Sequence, residues 1–141
     1  MDNIRLTYEV EGGDLTQAGE ASAQVKQTLR KLGFDPDTIR RVSVCMYEGE
    51  INMVIHADGG TATVDIGLSD ITITLADQGP GIPDIDQAMQ AGYTTAGEVA
   101  RDLGFGAGMG LPNMKRYSDE MTIETEVGKG TVVTVVIKIP Q

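Results

Sequence analysis

Apolar and polar positions alternate along much of this chain, and the alternation switches period at clear punctuation points. Over residues 4–11, Ile4, Leu6, Tyr8 and Val10 share one face and Arg5, Thr7 and Glu9 the other, which predicts a half-buried strand. Gly12-Gly13 breaks it, and Asp14 is placed to cap a helix with apolar positions Leu15, Ala18, Val25, Leu29 and Leu32, ended by Gly33. A second helix starts with Asp35 as N-cap and Pro36 at the first helical position, where a missing N–H costs nothing. It runs to about Ala57, with Ile39, Val42, Met46 and Met53 as its core stripe. Two alternating runs follow, Ala62-Val64-Ile66-Leu68 and Ile71-Ile73-Leu75, with a tight hairpin expected at Ser69-Asp70.

After Asp77 the pattern loosens. A short helix is expected from Asp84 to Ala91, then a glycine-rich stretch, 92–108, read as a functional loop because it is long for a compact domain. Met109 to Tyr117 reads as a helix, and two strands, Met121 to Val127 and Thr131 to Ile139, close the chain around the turn Gly128-Lys129-Gly130. The order β-α-α-β-β-(α)-loop-α-β-β predicts an α+β fold. Its form is a two-layer α/β sandwich whose mostly antiparallel mixed sheet carries helices on one face. The whole of 1–141 is expected to form one domain.

Charge and cysteine content narrow the partners. The net charge of -10 argues against non-specific nucleic-acid binding and against docking on anionic membranes. It leaves nucleotide binding open, since backbone N–H groups and a metal can make one site electropositive. The single cysteine, Cys45, excludes an intrachain disulfide, and no signal-peptide pattern or membrane-length apolar run is present, so a cytoplasmic location is expected.

Three segments carry chemistry. Asp77-Gln78-Gly79-Pro80-Gly81 fixes an acceptor-only carboxylate at a strand end beside backbone that can be approached closely, which suits a flat donor such as a purine amino group. The run Gly104 to Gly110 opens a helix and offers an anion cradle of backbone N–H groups, although it is neither the P-loop pattern nor the dinucleotide pattern. On the second helix, Glu48, Asn52 and His56 lie along one ridge. An Asn oxygen suits Mg²⁺, and a Glu one turn earlier can orient or deprotonate a nucleophile, whereas His56 and Cys45 read as structural. Taken alone, the ridge reads as a solvated helix face. Glu50 is expected to add a carboxylate at the site's rim.

Together these residues resemble the nucleotide-binding fold shared by gyrase, Hsp90, sensor histidine kinases and MutL, the GHKL or Bergerat fold. Glu48-x-x-x-Asn52 resembles its first box, Asp77-Gln78-Gly79-Pro80-Gly81 its DxGxG box, Gly106-Ala107-Gly108-Met109-Gly110-Leu111 its second glycine box, and Gly130-Thr131 its last. Within that superfamily the chain resembles bacterial anti-sigma factors and switch-protein serine kinases of the RsbT, RsbW and SpoIIAB type. The resemblance implies ATP or ADP with Mg²⁺ as cofactors. Asp77 would then accept from the adenine amino group, with Gly79, Gly81 and Ile82 around the base. Asn52 would ligate Mg²⁺. Gly106, Gly108, Met109, Gly110 and Leu111 would hold the phosphates, with 92–108 as the ATP lid. Thr131 would assist at the base, and Glu48 would act as general base toward a protein Ser or Thr hydroxyl. The implied partners are a small STAS-like antagonist, a sigma factor or a serine phosphatase, and the implied assembly is a homodimer built on the sheet or first strand. A non-catalytic, nucleotide-dependent binding module is the alternative. A detached histidine-kinase domain is disfavoured because His56, the only histidine, lies within the ATP helix.

Overall fold

A computed structural model describes residues 4–12, 18–57, 59–82, 84–89 and 110–140. In chain order the described elements are β1 (Ile4–Glu11), α1 (Glu20–Lys31), α2 (Pro36–His56), β2 (Gly59–Ile66), β3 (Asp70–Asp77), α3 (Ile85–Ala88), α4 (Gly110–Tyr117), β4 (Glu120–Glu126) and β5 (Gly130–Lys138). The strands form one sheet in the order β1-β2-β3-β5-β4. All four pairings are antiparallel, so the described sheet holds no parallel pair.

Strand alternation decides which face is covered. Ala62, Val64 and Ile66 of β2, Ile71, Ile73 and Leu75 of β3, and Val133, Val135 and Ile137 of β5 are buried beneath Val25 and Leu29 of α1, Val42, Met46 and Met53 of α2, and Met114 of α4. The alternate positions make the other face. One row of it, linked through the registers, is Thr7, Thr63, Thr74, Thr134 and Thr122, one threonine from each strand. Short β-branched side chains that tolerate water suit a half-exposed pleat.

The second helix is as the sequence predicts. Asp35 caps it by accepting the Thr38 N–H at 3.0 Å and the Thr38 hydroxyl at 2.6 Å. Gly49 in its interior sacrifices about 1 kcal/mol of helix propensity relative to Ala. A Cβ there would run into Leu75 Cδ1. Burial of Met46 and Met53 against the sheet, each contributing about 1.5–3 kcal/mol, outweighs that loss and sets α2 close to β3.

Two expectations are corrected. The first helix begins at Glu20, with Gly19 at the cap position (φ +95°) and no side-chain cap of its own, while Asp14 and Leu15 lie outside the described residues. Leu32 is its C-cap residue and is exposed rather than packed. The β2–β3 turn falls one residue earlier than predicted, at Leu68-Ser69, and is closed by the Gly67 N–H donating to the Asp70 carbonyl at 2.9 Å. Leu68 therefore lies in the turn, 66% exposed, because the register pairs Ile66 with Ile71 and the Gly67–Asp70 bond closes the hairpin around it. Among the described residues, no helix is long and apolar enough to cross a membrane.

Candidate functional site

The non-sequential strand order builds the site. Because β5 inserts beside β3, Asp77 pairs with Thr131. Asp77 Oδ1 accepts the Gly79 N–H at 2.9 Å and the Thr131 N–H at 3.2 Å. Both bonds go to one oxygen, and Oδ2 takes none among the described residues. The carboxylate is thus fixed by backbone, with one oxygen left as an acceptor among the described residues. Gly79 lies against Ala57 at the end of α2, where a Cβ would come within 2.7 Å of the Ala57 Cβ. Gly81 adopts φ +80° beside the Glu126 carbonyl, and the Pro80 carbonyl accepts the Gly128 N–H at 2.9 Å. The loop after β3 is therefore clamped between α2 and the β4–β5 turn.

A hydroxyl pair continues the clamp. Thr131 Oγ1 and Thr125 Oγ1 lie 2.9 Å apart, and Thr125 Oγ1 accepts the Ile82 N–H at 2.9 Å. Thr125 escaped the sequence reading, since a threonine in an edge strand carries no motif. Its inward position in the β4 alternation is the one signal that could have pointed to it.

The other half of the site is the seam between α2 and α4, which run antiparallel. Asn52 faces Gly110, where a Cβ would sit 3.0 Å from Asn52 Oδ1 and 3.1 Å from Nδ2. One turn away, Asn113 Nδ2 donates to Glu48 Oε1 at 3.5 Å. Further along, Cys45 Sγ donates to the Met114 carbonyl at 3.5 Å and Arg41 Nε to the Tyr117 carbonyl at 3.0 Å. Glycine at 110 lets the first turn of α4, the positive end of its dipole, abut the Asn52 amide. Leu111 packs against the core and fixes that turn. Burial pushes the Glu48 carboxyl above the ordinary carboxylate range, opposed by the Asn113 contact. Burial drives the Cys45 thiol up to about 12, which makes it an inert core group.

Glu50 is not at the rim. It is 3% exposed and turned to α1, where its two oxygens accept the Ala21 and Ser22 N–H groups, each at 3.1 Å. Two residues on from Glu48, it lies on a different side of the helix, since only positions three or four apart share a face. The expected lid over 92–108, with Gly106, Gly108 and Met109, lies outside the described residues.

The donor set fits a nucleotide with Mg²⁺. Among the described residues no three His, Cys, Asp or Glu converge on a point, so no all-protein metal cage is present. A neutral amide beside a helix N-terminus instead suits Mg²⁺ completed by phosphate oxygens and water.

Comparison with known proteins gives the family and the fold. The Histidine kinase-like ATPase domain family matches residues 13–137. The serine/threonine-protein kinase RsbT of Bacillus subtilis is 33% identical over 110 residues, 75% of this chain and 77% of that one. An anti-sigma F factor of Geobacillus stearothermophilus is 32% identical over 122 residues, 81% and 80% of the two chains. Among solved structures, the RsbU and RsbW domains of a Mycobacterium tuberculosis protein superpose with a TM-score of 0.64 at 17% identity, covering 96% of this chain and 32% of that one. The SiaB-SiaC complex of Pseudomonas aeruginosa superposes with a TM-score of 0.63 at 14% identity, covering 94% and 88%. The two structures share the fold, while the matched family and the curated relatives set the lineage: this chain belongs to the histidine kinase-like ATPase domain family.

Proposed function

We propose that this protein is an ATP-dependent serine/threonine protein kinase of the switch-kinase type, acting on a small antagonist protein. Two observations support the reading: Asp77 is fixed by backbone with an Oδ2 that takes no hydrogen bond among the described residues, and the Glu48/Asn52 face of α2 lies against the first turn of α4. Family membership, the kinase name of one curated relative and the anti-sigma name of another support it.

In this reading the Asp77 carboxylate accepts from the adenine amino group. The glycine run and the N-terminus of α4 hold the phosphates, with 92–108 as lid, and Asn52 is the protein ligand for Mg²⁺. When bound, Mg²⁺ neutralises charge on the phosphates. The substrate hydroxyl forms a bond to the γ-phosphorus while the bond from that phosphorus to the bridging oxygen breaks, and ADP leaves. The hydroxyl proton passes to the Glu48 carboxylate. A raised carboxyl affinity for protons, from half-burial, suits a base at neutral pH. Phosphoryl transfer asks little more of a protein than positioning and charge neutralisation, which this set provides. A homodimer and a cytoplasmic setting complete the proposal.

The test is incubation with labelled ATP, Mg²⁺ and candidate antagonist proteins. The expected result is acid-stable phosphate on a Ser or Thr of the antagonist, reduced about 100-fold or more in Glu48→Ala while ATP still binds. Nucleotide-dependent complex formation without any transfer would show a non-catalytic binding module instead.

A further inference from the structure

Glu48 shares its rung of the α2–α4 seam with a residue that no reading of the motifs singles out. Asn113, the fourth residue of α4, presents its amide nitrogen to Glu48 Oε1 at 3.5 Å, and Oε2 takes no hydrogen bond among the described residues. The geometry points to Asn113 as the positioning residue for the Glu48 carboxylate, holding one oxygen so that the other is presented to the substrate hydroxyl. This rests on the kinase reading above.

Three features support the assignment. The first is the chemistry of the pair. The Asn113 nitrogen, not its oxygen, must face Glu48, because an amide oxygen would repel the carboxylate. A neutral donor orients a half-buried base without forming an ion pair that would quench its basicity, as Lys or Arg would. An apolar residue would leave the carboxylate desolvated with no partner.

The second is length. At 3.5 Å the contact is at the outer limit of a hydrogen bond, so it draws little charge from the carboxylate and leaves its basicity largely intact.

The third is placement. Asn113 stands one turn from Gly110, the residue that abuts Asn52, so a single rigid turn of α4 touches both the proposed metal ligand and the proposed base. The rungs beyond, Cys45 to the Met114 carbonyl and Arg41 to the Tyr117 carbonyl, lock the rest of α4 to α2. Phosphates gripped at the N-terminus of α4 would therefore fix the register of the base as well. That coupling is the arrangement a kinase needs to avoid deprotonating a hydroxyl before ATP is seated.

The experiment compares the full-length protein with Asn113→Ala, Asn113→Asp and Asn113→Gln, using the antagonist substrate and Mg-ATP. Expected for Asn113→Ala is a fall in kcat of about 10- to 100-fold, with ATP Kd and melting temperature close to the parent values. Asn113→Asp, of equal size but without a donor at neutral pH, should fall at least as far. Asn113→Gln, which keeps the donor on a longer arm, should restore part of the lost kcat. An unaltered kcat in Asn113→Ala beside an active parent overturns the positioning role and leaves the kinase reading standing. A loss confined to ATP affinity also overturns it, since that is the mark of a phosphate-side role. A parent without any transfer activity overturns both.

Discussion

The buried Glu50 carboxylate gives the sharpest stability prediction. Glu50→Ala removes the carboxylate that accepts hydrogen bonds from the Ala21 and Ser22 N–H groups, both residues being buried at the start of a helix that has no side-chain cap of its own. Hydrogen bonds to charged groups contribute about 1.5–3 kcal/mol each. The carboxylate also sits at the positive end of the α1 dipole. Allowing for partial rehydration of the exposed amides, the loss is about 3–5 kcal/mol, against a total of roughly 5–15 for a domain. For a chain of this size that is a drop in melting temperature on the order of 10–20 °C. Glu50→Gln keeps one acceptor and should lose about half as much. The assay is thermal unfolding followed by circular dichroism without nucleotide, because saturating ligand would add back about 2.7 kcal/mol at 100 times its Kd. Amide hydrogen exchange should accelerate at Ala21 and Ser22 before it does so in β3. A Glu50→Ala melting temperature within about 2 °C of the parent would refute the reasoning and show that α1 is held by Val25 and Leu29 alone.

Two predictions concern the site. Gly110→Ala places a methyl 3.0 Å from Asn52 Oδ1, so the amide must shift by a few tenths of an ångström. Mg-ATP affinity should fall about tenfold with little change in melting temperature, as read by calorimetric titration and thermal melts. The kinase reaction should lose rate as pH falls through the Glu48 midpoint, which burial places above the ordinary value of 4.5. The active species is the carboxylate, so the limb lies on the acid side, and a pH–rate profile of Glu48→Gln should lack it.

Much of the scaffold was legible in the sequence because local and global preferences agree there. Asp35-Pro36 marks the start of α2 to the residue, and the strict alternation in β2, β3 and β5 names the core. The motif residues Glu48, Asn52 and Asp77 could be placed on their elements for the same reason. What escaped the reading depends on contacts between distant segments. The start of α1 was misplaced because its cap comes from Glu50, a residue about thirty positions away in sequence and on another helix. Glu50 was misassigned to the rim for the converse reason. A charged side chain reads as exposed until the N–H groups it serves are brought to it. Leu68 continues the alternation by chemistry but lies in the hairpin turn that the Ile66–Ile71 register sets. Thr125 and Asn113 acquire their meaning only when β4 pairs with β5 and α4 docks on α2.

The central claim is that Asp77 reads adenine at an ATP site, and calorimetric titration of the parent and Asp77→Asn with ATP and GTP tests it most directly. An amide at 77 can still accept the Gly79 and Thr131 N–H groups through its oxygen, so the fold should survive, but it presents a donor where Oδ2 offered an acceptor. The parent should bind ATP and discriminate strongly against GTP, whose carbonyl would face the carboxylate. Asp77→Asn should bind ATP about 10- to 100-fold more weakly and lose most of that discrimination. Equal ATP affinity in the two proteins would contradict the account.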